Sequence, residues 1–332
     1  MVTLSSADNA LKSLYLNVVS EQLNTKTNPL LNRIAQTESD VWGKEIIKLA
    51  PYGVNGGIGA GGETDNLPTS AENKYARFVL TLKNLYGTIE LSDKAIRASQ
   101  NNAGAFVNLL NAEMDGLIKA SKFNFGRMLY GDGTGTLATI ESVSGNVIIV
   151  DSVQYLMEGM MIDICTSLGV ARSGYTSRRI TSIDRTDLAV TVSGTAIDDD
   201  VVVATDILVV QGSYGKELTG LGAIFGSSAT LYGITRQGNN WLTPYTDTMS
   251  TVSDVDIQTA IDHVESVSGG AIDFIVCSYG VRRAYQAYLR TSASNIDVLN
   301  LEGGYKAISY SGIPMVADRF CPSNTMYLLD TK

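Results

Sequence analysis

Six of the ten residues from Gly53 to Gly62 are glycine, and this stretch lies between two long extended runs. The first run, residues 44–50, reads Lys-Glu-Ile-Ile-Lys-Leu-Ala. The second, Phe78 to Leu91, carries Val79, Leu80, Leu82, Leu85, Tyr86, Ile89 and Leu91. Two strand-like runs joined by a flexible tip predict a long hairpin. A two-stranded ribbon is not stable alone in water. Such a ribbon therefore implies a partner, and neighbouring copies of the chain are expected to supply it.

The flanking segments raise the same demand. Residues 6–23 predict an amphipathic helix, with Leu11, Leu14, Tyr15, Val18 and Gln22 at helical spacing and Ser6 or Asp8 as cap. One isolated helix of that length is marginal, and Asn28-Pro29 is expected to break the chain after it. Ser92-Asp93 opens a short helix through Ser99. Residues 103–130 then form the longest helix, with Phe106, Leu110, Met114, Leu117, Ile118, Phe125, Met128 and Leu129 as its apolar stripe. Gly131-Asp132-Gly133 stops it. At ~1.5 Å per residue this helix spans roughly 40 Å, which makes it a spine.

From 136 to 211 the pattern changes to short strands: Val147–Val150, Met161–Cys165, Arg179–Ile183, Leu188–Val192 and Ile207–Val210. Turn signals separate them, as expected of a small sandwich or barrel inserted between helical regions. Residues 253–332 return to α/β. Ser253 caps a helix carrying Ile257, Ala260, Ile261 and Val264, which Gly269-Gly270 ends. Ile272–Cys277 is a short buried strand. Ser278 caps a further helix with Val281, Ala284, Tyr285, Tyr288 and Leu289 aligned, and Ile313–Ala317 and Met326–Leu329 are strands.

Few charge-driven functions are compatible with this chain. Its 332 residues hold 25 Lys and Arg against 34 Asp and Glu, a net charge of −9. A duplex-gripping protein needs a basic face to displace counterions, and no Lys/Arg block is present. Cys165, Cys277 and Cys321 are odd in number and widely spaced, so buried free thiols in a reducing setting are expected. The start, Met1-Val2-Thr3-Leu4-Ser5-Ser6, has no basic region followed by an apolar one. No apolar run approaches the ~20 residues of a membrane span. An aqueous, intracellular setting is the expectation.

The search for chemistry returns only weak matches. Gly57-x-Gly59-x-x-Gly62 fits the dinucleotide fingerprint literally, but Glu63-Thr64-Asp65-Asn66-Leu67-Pro68 follows where that motif needs a helix. His263 is the single histidine and sits on the polar side of its helix; no Gly-x-Ser-x-Gly elbow accompanies it. Asp198-Asp199-Asp200 lacks the spacing of a calcium loop. Gly131 to Gly135 lacks the lysine of a phosphate-binding loop. No catalytic residue, cofactor or metal ligand is therefore assigned, and the chain is not read as an enzyme. The excess of tyrosine, 16 against 7 Phe and 2 Trp, suits interfaces.

One stretch carries a resemblance. Gly62-Glu63, Leu67-Pro68, Lys74-Tyr75, Leu85-Tyr86-Gly87-Thr88-Ile89-Glu90-Leu91-Ser92, Gly104-Ala105-Phe106, Glu113-Met114 and Leu129-Tyr130-Gly131-Asp132-Gly133-Thr134-Gly135 resemble tailed-bacteriophage major capsid proteins of the Hong Kong 97 fold. Tyr310-Ser311-Gly312-Ile313-Pro314 and Tyr327-Leu328-Leu329-Asp330 look like that family's closing strands.

The resemblance implies an α+β capsid fold with five parts. These are an N-terminal arm at 1–40, an extended hairpin loop at 41–91, and a peripheral domain with the spine helix at 92–135. An inserted β-rich subdomain follows at 136–215, then an axial domain and closing peripheral strands at 216–332. It implies a structural subunit that self-assembles as hexamers and pentamers into an icosahedral shell around double-stranded DNA, with the virion as its place. Portal, scaffolding and decoration proteins are the further partners implied; no membrane is. Lys44, Lys48 and Lys74 lie where one member family forms a lysine–asparagine cross-link, but nothing here identifies the partner, and that chemistry is not carried over. Two alternatives stay open: an encapsulin-like nanocompartment, and a β-rich phage surface protein that binds host glycans.

Overall fold

The computed structural model describes residues 28–34, 45–64, 66–90, 103–291, 298–300 and 306–331. The helices expected at 6–23 and 92–99 lie outside the described residues. The residues before Asn28, and with them the end of the expected 6–23 helix, lie outside the described ones; Asn28 is extended, and helix α1, Pro29–Arg33, starts after it. The Asn28 side chain caps it by accepting from the Leu30 and Leu31 N–H groups, and Pro fits a first helical turn because its missing N–H is not needed there. Leu30 and Leu31 are buried.

The ribbon is β1, Glu45–Gly53, antiparallel to β2, Lys74–Thr81, in the register Glu45↔Thr81 to Gly53↔Lys74. The second strand thus starts four residues earlier than expected and ends ten earlier, and residues 82–90 are not strand. The cause is pairing: described β1 begins at Glu45, opposite Thr81, and an extended apolar run forms strand only where a ladder partner exists.

The spine is α2, Ala103–Met128. It leads into a closed six-stranded antiparallel barrel made of β3 Thr136–Ser144, β4 Val147–Val150, β5 Met161–Cys165, β6 Arg178–Asp184, β7 Ala189–Val192 and β8 Ile207–Val210. The order around the barrel is β3-β4-β7-β6-β5-β8. Strand β3 was missed in the sequence because its Thr and Ser residues dilute the apolar signal. Its bulges let it pair with β4 at one end and β8 at the other. The interior is filled by side chains such as Ile140, Ile148, Ile162, Ile164, Ile180 and Leu208, all almost fully buried, so the barrel is a packed core and not a pore.

After the barrel come α3 Leu221–Phe225, the bridge strands β9 Thr230–Leu231 and β10 Ile234–Thr235, then α4 Asp254–Ser268, β11 Phe274–Cys277 and α5 Tyr279–Thr291. The last strands are β12 Val298–Asn300, β13 Lys306–Tyr310, β14 Ile313–Ala317 and β15 Met326–Leu329. The sequence reading omitted β12 and β13. A Ser253–Asp256 capping box opens α4, and Gly269 closes it in the left-handed region at φ 68°.

These strands form one sheet, β12-β13-β14-β11-β15, with β11 and β14 parallel. Its two faces separate by strand period. Ile275, Cys277 and Met315 pack with Ile257 and Ile261 of α4 and with Val281, Tyr285 and Leu289 of α5. Phe274, Val276, Val316 and Tyr327 share a second core with Leu30, Phe123 and Tyr130, α3 and the barrel interior. Spine and barrel therefore lie together on the side of the sheet away from α4 and α5.

Candidate assembly interface

Buried polar groups fix how the barrel meets the rest of the chain. Arg127, in the last turn of α2, donates through two guanidinium nitrogens to the Glu217 carboxylate, at 2.7 and 2.6 Å. Its Nε donates to Asn124 Oδ1 at 3.0 Å. Both charged side chains are only 4% exposed. Glu217 belongs to the segment leaving the barrel, so the pair clamps that exit to the spine. The entry and exit segments also bond to each other, Gly215 N–H to Thr134 O and Gly220 N–H to Gly131 O. On the sheet side, Gln154 and Tyr155, between β4 and β5, donate to the carbonyls of Arg319, Cys321 and Phe320.

A second junction is a buried carboxyl. Asp318 accepts from Tyr130 Oη at 2.7 Å and from the Phe320 N–H at 2.9 Å. Burial pushes its pKa up despite these two donors, and burial with the facing carboxyl pushes the Tyr130 hydroxyl up too. Phe123 packs edge-to-face on Phe320 with centroids 5.4 Å apart. Phe123 lies outside the apolar stripe that helical spacing predicts, which includes the only half-buried Phe125. A single sequence offers no signal for the Arg127–Glu217 pair, 90 residues apart.

The ribbon presents the exposed surface. On one face Phe78 meets the rings of Tyr232 and Trp241 edge-on, and Tyr52 stacks on Trp241 at 4.9 Å. The outer edge of β2 is tied at one point, Val79 N–H to Tyr232 O at 2.9 Å. The opposite face carries Ile47, Leu49 and Tyr75, of which Leu49 is 69% exposed. The tip adds Val54, Ile58 and Leu67, each about nine-tenths exposed. Each would contribute about 1.5–3 kcal/mol if fully buried.

The weak motifs fall as follows. No helix follows Gly57-x-Gly59-x-x-Gly62; Asn55 Oδ1 accepts from the N–H groups of Gly57 and Ala71, closing the tip across the ribbon. A Cβ on Gly57 would lie 3.0 Å from that oxygen, so the glycine serves packing. His263 is exposed, and its ring lies tilted against that of Tyr245 with centroids 4.4 Å apart. Asp198 to Asp200 form an exposed turn in which Asp198 Oδ1 accepts from the Asp200 N–H. Gly131 to Gly135 form the turn into β3, with Asp132 Oδ1 accepting from the Thr134 N–H. Lys48 and Lys74 stand on the ribbon, and Lys44 lies outside the described residues.

Cys165, Cys277 and Cys321 are free and buried. Cys321 sits in the turn after β14. An apolar cleft of about 1220 Å³ is bounded by Leu30, Ile34, Phe225, Ile257, Val264 and Leu329. Among the described residues no cluster of three His, Cys, Asp or Glu side chains converges, and no helix is long and apolar enough to cross a membrane.

No family model matches the chain, and no curated protein matches it. A solved structure does. A chain of the cyanophage A-1(L) capsid asymmetric unit is similar with a TM-score of 0.51 and 16% identity, over 92% of this chain and 71% of that one. In spite of near-unrelated sequences, this chain has the fold of a subunit from a cyanophage capsid.

Proposed function

We propose that this protein is the structural subunit of a tailed-phage capsid: copies of it assemble into an icosahedral shell around double-stranded DNA. The observation that carries the reading is a capsid-subunit fold bearing a ribbon whose apolar face, Ile47, Leu49 and Tyr75, is exposed on the isolated subunit. In this reading the fold is of the Hong Kong 97 type. Residues 1–40 are the arm, 41–91 the extended loop over a neighbour, 92–135 the peripheral spine, 136–215 an inserted β-rich subdomain and 216–332 the axial domain with closing strands. Copies meet as hexamers and pentamers, and portal and scaffolding proteins are the further partners. DNA is confined and not gripped, in keeping with the net charge of −9.

Negative-stain microscopy of the purified chain tests this. Uniform closed shells are expected from the wild type. The variant Ile47→Lys/Leu49→Lys should remain folded and form none, because two desolvated ammonium groups would replace two apolar anchors. A wild type that stays monomeric in every condition, or normal shells from the ribbon variant, would refute the proposal. Shell contents separate a virion from a nanocompartment: nucleic acid in the first, a protein cargo in the second.

A further inference from the structure

The two helices that cover one face of the five-stranded sheet carry opposite charge. Helix α4 has Asp254, Asp256, Asp262 and Glu265 and no Lys or Arg. Helix α5 has Arg282, Arg283 and Arg290 and no acidic residue. Part of this charge is used inside the subunit. Asp254 accepts from Tyr285 Oη at 2.7 Å, Asp256 completes the capping box, and Arg282 lies over the Tyr279 ring. Without an ionic partner are Asp262, whose carboxylate accepts from Gln258 Nε2 one turn back at 2.6 Å, and Glu265 on α4, and Arg283 and Arg290 on α5, all exposed. None of the four forms an ion pair among the described residues.

The spacing makes each set a face. Asp262 and Glu265 are three apart, and Val255 stands two turns before Asp262 on the same side, 70% exposed. Arg283 and Arg290 are two turns apart, and Tyr279, one turn before Arg283, is 47% exposed. Each helix therefore offers one apolar side chain beside two unpaired charges, acidic on α4 and basic on α5.

We infer that the Asp262/Glu265 face of α4 in one copy docks on the Arg283/Arg290 face of α5 in the next. A contact of either face with itself would place like charges together, which is repulsive. The matching pair joins two different surfaces, so the contact is heterologous, and repeated heterologous contacts close into rings when the rotation per copy divides a full turn. The inference rests on the shell reading above, since it names a contact by which copies would meet around a local axis.

Charge reversal tests it on the full chain. Asp262→Arg/Glu265→Arg and Arg283→Glu/Arg290→Glu should each raise the protein concentration needed for assembly by roughly tenfold or more. The variant carrying all four reversals should return to within about threefold of wild type, because it restores opposite charges across every contact, whereas an equimolar mixture of the two double variants should recover only in part, because two kinds of copy cannot alternate around a five-membered ring. Far-UV circular dichroism and the unfolding midpoint of the unassembled subunit confirm that the variants fold. Should a reversal unfold the chain, the neutral pair Asp262→Asn/Glu265→Gln reads the same contact through a reduced salt dependence of assembly. Wild-type-like assembly of either double reversal, or failure of the combined reversal to recover, overturns the contact while leaving the shell reading intact. A wild type that never assembles sinks both.

Discussion

Replacing either member of the Arg127–Glu217 pair strands the other as a lone charge in the core. In Arg127→Met the Glu217 carboxylate loses both guanidinium donors, at 2.7 and 2.6 Å. In Glu217→Met the guanidinium keeps only the Asn124 oxygen at 3.0 Å. Both groups are 4% exposed, so water cannot take the missing partner's place without opening the junction between spine and barrel exit. Breaking a buried pair in this way costs about 3–5 kcal/mol. Replacing both by side chains of similar volume removes the desolvation of two ions together, so Arg127→Met/Glu217→Met should lie within about 2 kcal/mol of wild type. Urea unfolding of the unassembled subunit, followed by circular dichroism, measures the cycle. Single variants costing less than about 1 kcal/mol, as for an exposed salt bridge, would refute the clamp.

Three further outcomes are expected. Gly126→Ala would drive a Cβ into the Phe320 ring; overpacking should cost about 1–3 kcal/mol, and Phe320→Leu in the same chain should recover part of it in the same urea assay. Asp318 has a folded pKa raised by burial above its ordinary 3.8. Its protonated form therefore stabilises the fold fully below that ordinary value, and this contribution is lost as pH rises through the folded one. Asp318→Asn should remove that loss, so its stability advantage over wild type should grow with pH above 3.8; a pH-independent difference in urea midpoints would contradict this. Burial pushes the Cys277 thiol up to about 12 and raises Cys165 and Cys321 as well. A thiol reagent at pH ~8 should label none of the three in the folded subunit and all three after unfolding; rapid labelling of any one would place it at the surface.

Local signals located most of the regular structure. Ser253 with Asp256, and the left-handed Gly269, bracket α4 where the cap pattern places it. Val147–Val150, Ile313–Ala317 and Met326–Leu329 are strands at the residues their apolar runs mark. The misses share a cause. Residues 82–90 are apolar enough for a strand but have no described partner across from them. Strand β3 reads as Thr and Ser yet sits between β4 and β8 in a closed barrel.

The glycine-tipped ribbon was evident in the amino-acid order, because hydrophobic period and turn chemistry are local properties of the backbone. So was its need of a support, since two strands alone do not bury enough surface. Only the tertiary structure decided which face the support covers: Tyr232 and Trp241 take Phe78 and Tyr52, leaving Ile47, Leu49 and Tyr75 outward. It alone brought Arg127 to Glu217 and Tyr130 to Asp318, across 90 and 188 positions. Pairings at such separation leave no periodicity in the sequence, because they depend on how packed elements meet and not on what any one element prefers.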